Sequence, residues 1–215
     1  MRKDLTELVF ILDRSGSMQP LISDTIGGFA HVMEQNRSLP GECMVTTLLF
    51  NEAVSVLHDH LPIRAIPALT KKDYQPGGMT ALLDAIGAGI EKMDGILAHT
   101  AESERAENVQ FVIITDGLEN DSRTYSLSRI RQMISARKVL GWDFLFLGAN
   151  IDAIEVAGSM GISSDRAVEA MGDQAGTRLA YAAVADANIS FRSKRKEPLG
   201  AWKSAVEEDT RRRKR

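Results

Sequence analysis

Short apolar runs that end in polar turns alternate with longer amphipathic stretches along most of this chain. The strand-like runs cover 6–12, 43–50, 53–58, 109–115, 142–147 and 166–171, and the stretches with helical spacing cover 21–36, 80–97, 124–139, 151–158 and 174–189. Strands that alternate with helices predict an α/β domain whose mostly parallel sheet is covered on both faces. The turn Asn51-Glu52 joins the second and third runs directly, which predicts one antiparallel hairpin.

The length and the charge distribution favour one domain followed by a tail. With 215 residues, of which 44 % are hydrophobic, the chain is long enough for one large domain and short for two. Residues 192–215 hold ten Lys or Arg against four Asp or Glu, whereas the whole chain has a formal net charge of −3. We therefore predict an acidic domain over 1–191 and a basic, flexible tail over 192–215. The acidic body argues against nucleic-acid binding except through the tail.

Cysteine content and the N-terminal sequence favour a cytoplasmic protein. Cys43 is the single cysteine, so no internal disulfide can form, and its apolar neighbours predict a buried thiol. The first apolar run is too short for a signal peptide or a membrane span. Because the motif described next begins at Asp13, we expect no removable leader, no membrane association and a cytoplasmic location.

Three loops that follow, or pack near, the carboxyl ends of strands carry oxygen-bearing side chains. In an open α/β sheet, ligands bind outside the carboxyl ends of the strands, where the strand order reverses. The spacing i, i+2, i+4 in the first loop can direct three side chains at one centre, and Gly16 allows the backbone to curl around it. The loops are Asp13-Arg14-Ser15-Gly16-Ser17, Gly77-Gly78-Met79-Thr80 and Thr115-Asp116-Gly117.

The residue types in these loops indicate a hard divalent cation. Carboxylates and hydroxyls suit Mg²⁺, with Mn²⁺ or Ca²⁺ as alternatives, and the loops contain no His or Cys cluster that would favour a softer metal. If some ligands act through water, an open coordination position remains for an anionic oxygen from outside. Taken alone, the first pentapeptide could instead cap the following helix. The five candidate ligands are Asp13, Ser15, Ser17, Thr80 and Asp116.

The sequence Phe10-Ile11-Leu12-Asp13-Arg14-Ser15-Gly16-Ser17-Met18 resembles the opening of a von Willebrand factor A domain. Residues 77–82 and 113–117 resemble the family's second and third metal loops, and all five positions of its metal-ion-dependent adhesion site are matched. The resemblance covers roughly residues 5–190, and the small stand-alone bacterial members are the most similar.

This resemblance implies a doubly wound, Rossmann-like sheet of about six strands with one antiparallel edge strand and with the first and fourth strands adjacent. It also implies ligand roles: Ser15, Ser17 and Thr80 bind the ion through hydroxyls, and Asp13 and Asp116 bind it directly or through water. The implied function is non-catalytic protein binding, in which a Glu or Asp of a protein partner completes the ion's coordination.

Two other function classes stay open beside the binding module. One is a magnesium-dependent hydrolase that acts on phosphoesters through an activated water; the other is a structural subunit whose metal only stiffens the loops. Phosphatases of the haloacid dehalogenase class need a second Asp two residues after the first, and position 15 is Ser. The sequence also contains no nucleophile elbow, and no glycine-rich nucleotide-binding loop follows the first strand. We therefore predict that the protein is not an enzyme.

Some residues near the proposed ion have two interpretations. Methionine suits adaptable binding surfaces, but the apolar residues here could equally pack in the core. The acidic run 119–121 could form a rim, a weak second cation site or a solvated turn. The candidate ligand rim consists of Met18, Met79, Leu118 and Glu119. Farther away, His58 and His60 would share one face of a strand, yet two histidines without a third ligand do not predict a zinc site.

Overall fold

One six-stranded sheet forms the centre of the molecule. A computed structural model describes residues 1–194 and 198–214. The strand order is β3-β2-β1-β4-β5-β6, and every pair is parallel except β2 with β3. The mostly parallel sheet with one antiparallel edge strand confirms the predicted fold class. The strands are β1 (Arg2–Asp13), β2 (Glu42–Phe50), β3 (Val54–Pro62), β4 (Ala106–Thr115), β5 (Asp143–Ala149) and β6 (Ala167–Ala170).

Helices cover both faces of the sheet and enclose two apolar cores. Alternate residues of a strand point to opposite faces, so Phe10 packs in the core below α1, α5 and α6, while Ile11 packs in the core below α2, α3 and α4. Burial on both sides explains why residues 8–12 of β1 and 111–114 of β4 are continuous apolar runs. No helix among the described residues is long and apolar enough to cross a membrane. The helices are α1 (Ile22–Arg37), α2 (Leu82–Ala98), α3 (Leu127–Val139), α4 (Ala153–Ser159), α5 (Gln174–Arg192) and α6 (Ser204–Arg213).

The point where the strand order reverses lies between β1 and β4. Strand β1 pairs with β2 on one side and with β4 on the other, so that Leu12 is opposite both Leu49 and Ile114. The chain leaves β1 through α1 on one face of the sheet and leaves β4 through α3 on the other. The loops after β1 and β4 therefore diverge around a crevice at the carboxyl edge, which is where an open α/β sheet binds ligands.

The C-terminal segment differs from the predicted flexible tail. Residues Ala201–Lys203 form a 3-10 turn that leads into α6, and Trp202 and Val206 are buried in the core. Thr210 donates a hydrogen bond to the carbonyl of Glu169 on the edge strand β6, at 3.1 Å. Apolar residues four apart give this charged segment one buried side that covers the edge of the sheet. Residues 195–197 and 215 of the predicted tail lie outside the described residues.

Two predictions for β2 and β3 have different outcomes. Cys43 is buried, as predicted. The prediction that His58 and His60 share one face is wrong, because a register shift interrupts the strand and His60 takes a left-handed backbone with φ 49°. His58 stacks on Phe29 of α1, whereas His60 bonds to the carboxylate of Glu7 at 3.1 Å. The two imidazoles therefore contact different parts of the protein and do not form a pair.

Candidate metal centre

Two neighbouring strands bring the two candidate carboxylates to one place. Asp13 is the last residue of β1, and Asp116 directly follows β4. Because Leu12 and Ile114 are opposite each other in adjacent parallel strands, the residues after them leave the sheet side by side. Ser17 connects the two loops, since its hydroxyl donates to Oδ1 of Asp116 at 2.5 Å.

Asp13 is held rigidly in the interior. Its carboxylate accepts hydrogen bonds from the backbone N–H of Ser15 and from the hydroxyl of Thr115, both at 2.6 Å, and its side chain is almost fully buried. Burial raises the pKa of Asp13, and the bonds from Thr115 and Ser15 partly oppose that rise. The phenol of Tyr74 donates to the backbone carbonyl of Asp13. The orientation of the carboxylate is thus fixed by the backbone of Ser15 and by the hydroxyl of Thr115, and Thr115 lies outside the proposed ligand set.

Hydroxyl groups fill the space between the carboxylates. The hydroxyls of Ser15 and Ser17 are 3.1 Å apart. A Cβ atom added to Gly117 would lie 3.2 Å from Oγ1 of Thr80 and 3.7 Å from Oγ of Ser17, which places the Thr80 and Ser17 hydroxyls around the same point. Burial raises the pKa of Asp116, the charge of Asp13 adds to the rise, and the bond from Ser17 opposes it. The structure therefore brings all five sequence-predicted side chains together.

Backbone hydrogen bonds join the first loop to the second. The N–H of Gly16 donates to the carbonyl of Gly78 at 3.1 Å, and the N–H of Gly77 donates to the carbonyl of Arg14 at 2.9 Å. Gly78 has a φ of 77°, and a Cβ there would lie 1.5 Å from a carboxylate oxygen of Glu52. Glycine is therefore favoured at position 78 by the left-handed backbone, and a larger residue would also displace the carboxylate of Glu52.

The second and third loops are joined by one asparagine. The backbone N–H of Thr80 donates to the side-chain oxygen of Asn120 at 2.8 Å, and the N–H of Asn120 donates to the carbonyl of Thr80 at 3.0 Å. This reciprocal pair fixes Thr80 ahead of α2, which begins at Leu82. It also explains why the helix starts two residues later than the sequence predicted, since Thr80 belongs to the loop.

The donor set fits a hard divalent cation. Two carboxylates and three hydroxyls are oxygen ligands of the kind that magnesium and calcium prefer, and glycine backbone allows them to approach closely. Among the described residues, no group of three or more His, Cys, Asp or Glu side chains is arranged to hold a metal ion. This site has two such side chains, Asp13 and Asp116, and its remaining donors are hydroxyls.

Sequence reasoning missed three supporting residues. Thr115 belongs to the third loop, but its position at the strand end does not indicate that it binds Asp13. The run 119–121 predicts a rim, a weak cation site or a solvated turn, and nothing in it indicates that Asn120 would bind the backbone of Thr80. Tyr74 lies 61 residues from Asp13 in the chain, so no local pattern could have identified that contact.

The candidate rim residues occupy three different environments. Met18 is 2 % exposed and belongs to the core, so its assignment to the rim is wrong. Met79 and Leu118 are 50 % and 60 % exposed, although both are apolar. Glu119 uses its carboxylate inside the protein, where it accepts bonds from the backbone of Leu83 and Ser122 at 2.9 and 2.7 Å. Glu119 therefore positions the start of α2, and the exposed apolar part of the rim consists of Met79 and Leu118.

Comparison with known proteins gives a match at the level of three-dimensional structure. No protein-family model matches the sequence, and no curated protein matches it significantly. The D319A mutant of the PilB minor pilin from Streptococcus sanguinis superposes with a TM-score of 0.62 and 11 % identity, over 89 % of this chain and 63 % of the pilin. This chain thus spans less than two thirds of that protein's length.

Two further matches carry the name of the fold. The vWF domain of the type V pili tip protein Mfa5 from Porphyromonas gingivalis has a TM-score of 0.60 and 11 % identity, covering 90 % of this chain and 97 % of that domain. A von Willebrand factor type A protein from Catenulispora acidiphila has a TM-score of 0.58 and 15 % identity, covering 87 % and 42 % of the two chains. Identities this low show the shared fold alone.

Proposed function

We propose that this chain, whose fold is that of a von Willebrand factor A domain, is a non-catalytic protein-binding module that depends on a divalent metal ion. The observation that carries the proposal is the meeting of five oxygen-bearing side chains from three separate loops at the carboxyl edge of the sheet. The short contacts from Ser17 to Ser15 and to Asp116 support it directly. A pilin and a pilus tip protein among the structural neighbours support a binding role over a catalytic one.

Each side chain has a role in this proposal. Ser15, Ser17 and Thr80 would bind the cation, preferably Mg²⁺, through neutral hydroxyls, and Asp13 and Asp116 would balance its charge directly or through water. When bound, the cation supplies a Lewis-acidic centre that accepts a carboxylate oxygen of a partner's Glu or Asp. The protein's own contribution is to orient Asp13. The hydroxyl of Thr115 donates to its carboxylate, and the phenol of Tyr74 donates to its backbone carbonyl.

The surface around the site fits a partner that buries apolar area. Met79 and Leu118 lie on the second and third loops, and both expose large apolar side chains. A peptide whose acidic side chain reaches the cation would cover these two residues, which adds hydrophobic stabilisation to the ionic contact. We therefore expect the partner to be a protein with an acidic residue at the centre of a partly apolar surface.

Calorimetric titration with MgCl₂ tests the metal part of the proposal. The wild type is expected to bind the ion, and Asp116→Asn is expected to abolish or strongly weaken binding, because the variant keeps the shape of the side chain but removes its charge. Asp152→Asn is the matched control, since Asp152 also follows a strand but caps α4 through the N–H of Glu155 at 2.9 Å. Absence of binding in the wild type, or equal binding in both variants, would contradict a metal site at Asp116.

A second titration tests recognition of acidic groups. With Mg²⁺ present, a short peptide that contains one Glu is expected to shift the amide NMR signals of the three loops, and the same peptide with Gln is not. Metal binding without any response to the Glu peptide would favour a structural ion that only stiffens the loops. Turnover of a phosphoester substrate that requires Mg²⁺ and is lost in Asp116→Asn would replace the proposal with the hydrolase alternative.

A cytoplasmic location is also proposed. The one cysteine is buried in the sheet, and burial raises the pKa of its thiol to about 12, so the protein needs no oxidised cysteine for its fold. Fractionation of cells that express the chain with a C-terminal tag is expected to recover it with cytoplasmic markers. Recovery mainly with the membrane fraction or the medium would contradict this location.

A further inference from the structure

The turn between α2 and β4 carries two acidic side chains, and the site described above uses neither of them. Residues Glu102–Glu104 form a single 3-10 turn, and both Glu102 and Glu104 are exposed. Backbone bonds fix the turn, because the N–H groups of Glu104 and Arg105 both donate to the carbonyl of Ala101, at 2.8 and 3.2 Å. In the part of the chain that the structure describes, no cation forms an ion pair with Glu102 or Glu104.

This acidic turn lies at the opposite end of the sheet from the metal site. It directly precedes β4, and the other end of β4 leads to Asp116. Strand β4 begins at Ala106, whereas the adjacent strand β5 begins at Asp143, which is opposite Gln110 of β4. The chain before β4 therefore starts farther out than β5, and the two carboxylates of the turn stay accessible from outside.

Two exposed apolar side chains lie on the same side of this amino edge. Val139 and Leu140, at the end of α3, are 85 % and 69 % exposed. The Nε of Arg137 in α3 donates to Asp94 of α2 at 3.1 Å, so the two helices run together towards the amino edge. Helix α2 ends at Ala98, shortly before the acidic turn. The amino edge thus combines free carboxylates with an apolar pair.

The carboxyl edge has the complementary groups. Met79 and Leu118 expose apolar side chains beside the proposed cation, and the carboxylate of Asp116 is almost fully buried. A visiting carboxylate must therefore project from its own protein to reach the ion, and a turn with a fixed backbone does so with little loss of conformational entropy. Glu208, another exposed acid, lies on the side of α6 instead of at an end of the domain.

We propose that this chain binds a second copy of itself head to tail, with a carboxylate of the 102–104 turn of one copy completing the coordination of the ion held by the next. Val139 and Leu140 of the first copy would then cover Met79 and Leu118 of the second. This inference rests on the proposed function, and it names the partner. Because the two contacting surfaces differ, each pair keeps one free surface of each kind, and the assembly continues beyond two copies.

Sedimentation equilibrium of the full chain measures the association. One ionic contact with a small apolar area gives weak binding, so the concentration is varied from about 10 µM to about 1 mM. In Mg²⁺ the average mass of the wild type is expected to rise with concentration past that of two copies, and a chelator returns it to that of one. The double variant Glu102→Gln with Glu104→Gln is expected to associate at least about tenfold more weakly, whereas the matched control Glu208→Gln associates like the wild type.

Mixing two variants tests the head-to-tail arrangement itself. Asp116→Asn keeps the acidic turn but loses the metal site, and the double variant of Glu102 and Glu104 keeps the three metal loops but loses the acids. Each variant alone is expected to remain a single copy in Mg²⁺. Their equimolar mixture is expected to form pairs and nothing larger, because one copy only donates a carboxylate and the other only accepts it. If Asp116→Asn does not fold, Thr80→Ala replaces it.

A further pair of variants tests the apolar part of the contact. Leu140→Ser is expected to weaken the association of the wild type severalfold, because it removes exposed apolar area that the contact buries. Leu199→Ser is the control, since Leu199 is also largely exposed but lies in the C-terminal segment. Equal effects of the two substitutions would contradict a contact through the end of α3.

Two results would overturn the inference, and they are distinguishable. If the wild type stays a single copy in Mg²⁺ at every concentration, or if the variant without Glu102 and Glu104 associates as strongly as the wild type, the second copy is not the partner. The proposed function then stands as long as the Glu peptide still binds in a Mg²⁺-dependent way. If neither the Glu peptide nor a second copy binds, the proposed function and this inference fail together.

Discussion

Replacing Thr115 with valine tests whether the orientation of Asp13 depends on a single buried hydroxyl. Asp13 and Thr115 are each 1 % exposed, and their oxygens are 2.6 Å apart. Valine has nearly the same shape as threonine, so the substitution opens no cavity. It removes the short bond to Asp13 together with the longer bonds that the hydroxyl makes to the backbone of Gly117, at 3.1 and 3.3 Å. A hydrogen bond to a charged group contributes about 1.5–3 kcal/mol, and we expect the free energy of unfolding to fall by that amount.

The same substitution is expected to weaken the site. Residues that orient a metal ligand from behind change metal affinity by about 10–100-fold when they are replaced, so the Mg²⁺ dissociation constant of Thr115→Val is expected to rise within that range. Urea denaturation without metal gives the change in unfolding free energy, and calorimetry gives the affinity. The two measurements separate an effect on the fold from an effect on the site.

Thr46→Val is the matched control for this experiment. Thr46 is also 1 % exposed, but its hydroxyl has no hydrogen-bond partner among the described residues. Removing a buried, unpaired hydroxyl is expected to leave stability unchanged or to increase it. The reasoning would be refuted if Thr115→Val matched the wild type within about 0.5 kcal/mol, or if the two variants lost equal stability.

Three further predictions concern the loop backbone, the C-terminal segment and pH. Gly78→Ala is expected to lose about 1–2 kcal/mol of stability, because alanine is strained in the left-handed backbone, and to weaken Mg²⁺ binding, because the second loop must adjust. Gly77→Ala is the control: a Cβ there would meet no atom within 4 Å, so a thermal melt is expected to change little. Trp202→Ala is expected to cost about 3–5 kcal/mol in urea denaturation, and Leu199→Ala, at an 85 % exposed residue, almost nothing; equal effects would contradict a packed C-terminal segment. The bond to a buried carboxylate raises the pKa of His60, so its stabilisation is complete below the unfolded pKa of about 6.5 and is lost as pH rises through the folded pKa. Unfolding curves are therefore expected to show that His60→Asn, which tolerates the left-handed backbone, destabilises more at about pH 5.5 than at about pH 9, and the reverse order would refute the assignment.

Much of the fold follows from local patterns in the sequence. Strand segments that are buried on both faces are mainly apolar, so residues 8–12 of β1 and 111–114 of β4 are recognisable from composition alone. The Asn51-Glu52 turn predicts the antiparallel edge. The C-terminal segment shows the limit of this reasoning. Most of its residues are charged, and its two buried apolar residues, Trp202 and Val206, lie four positions apart. Only the packing of this segment against β6 and the core shows that they stabilise a helix.

The candidate site divides in the same way. Residue type and spacing were sufficient to predict the five candidate ligands, because side chains with oxygen donors can be recognised in the sequence directly after apolar strands. The five are Asp13, Ser15, Ser17, Thr80 and Asp116. The sequence could not show that Thr115 and Tyr74 hold Asp13 or that Met18 is buried. These facts depend on which distant segments meet, and a side chain's partners and exposure are set by the packing of the whole domain rather than by its neighbours in the sequence.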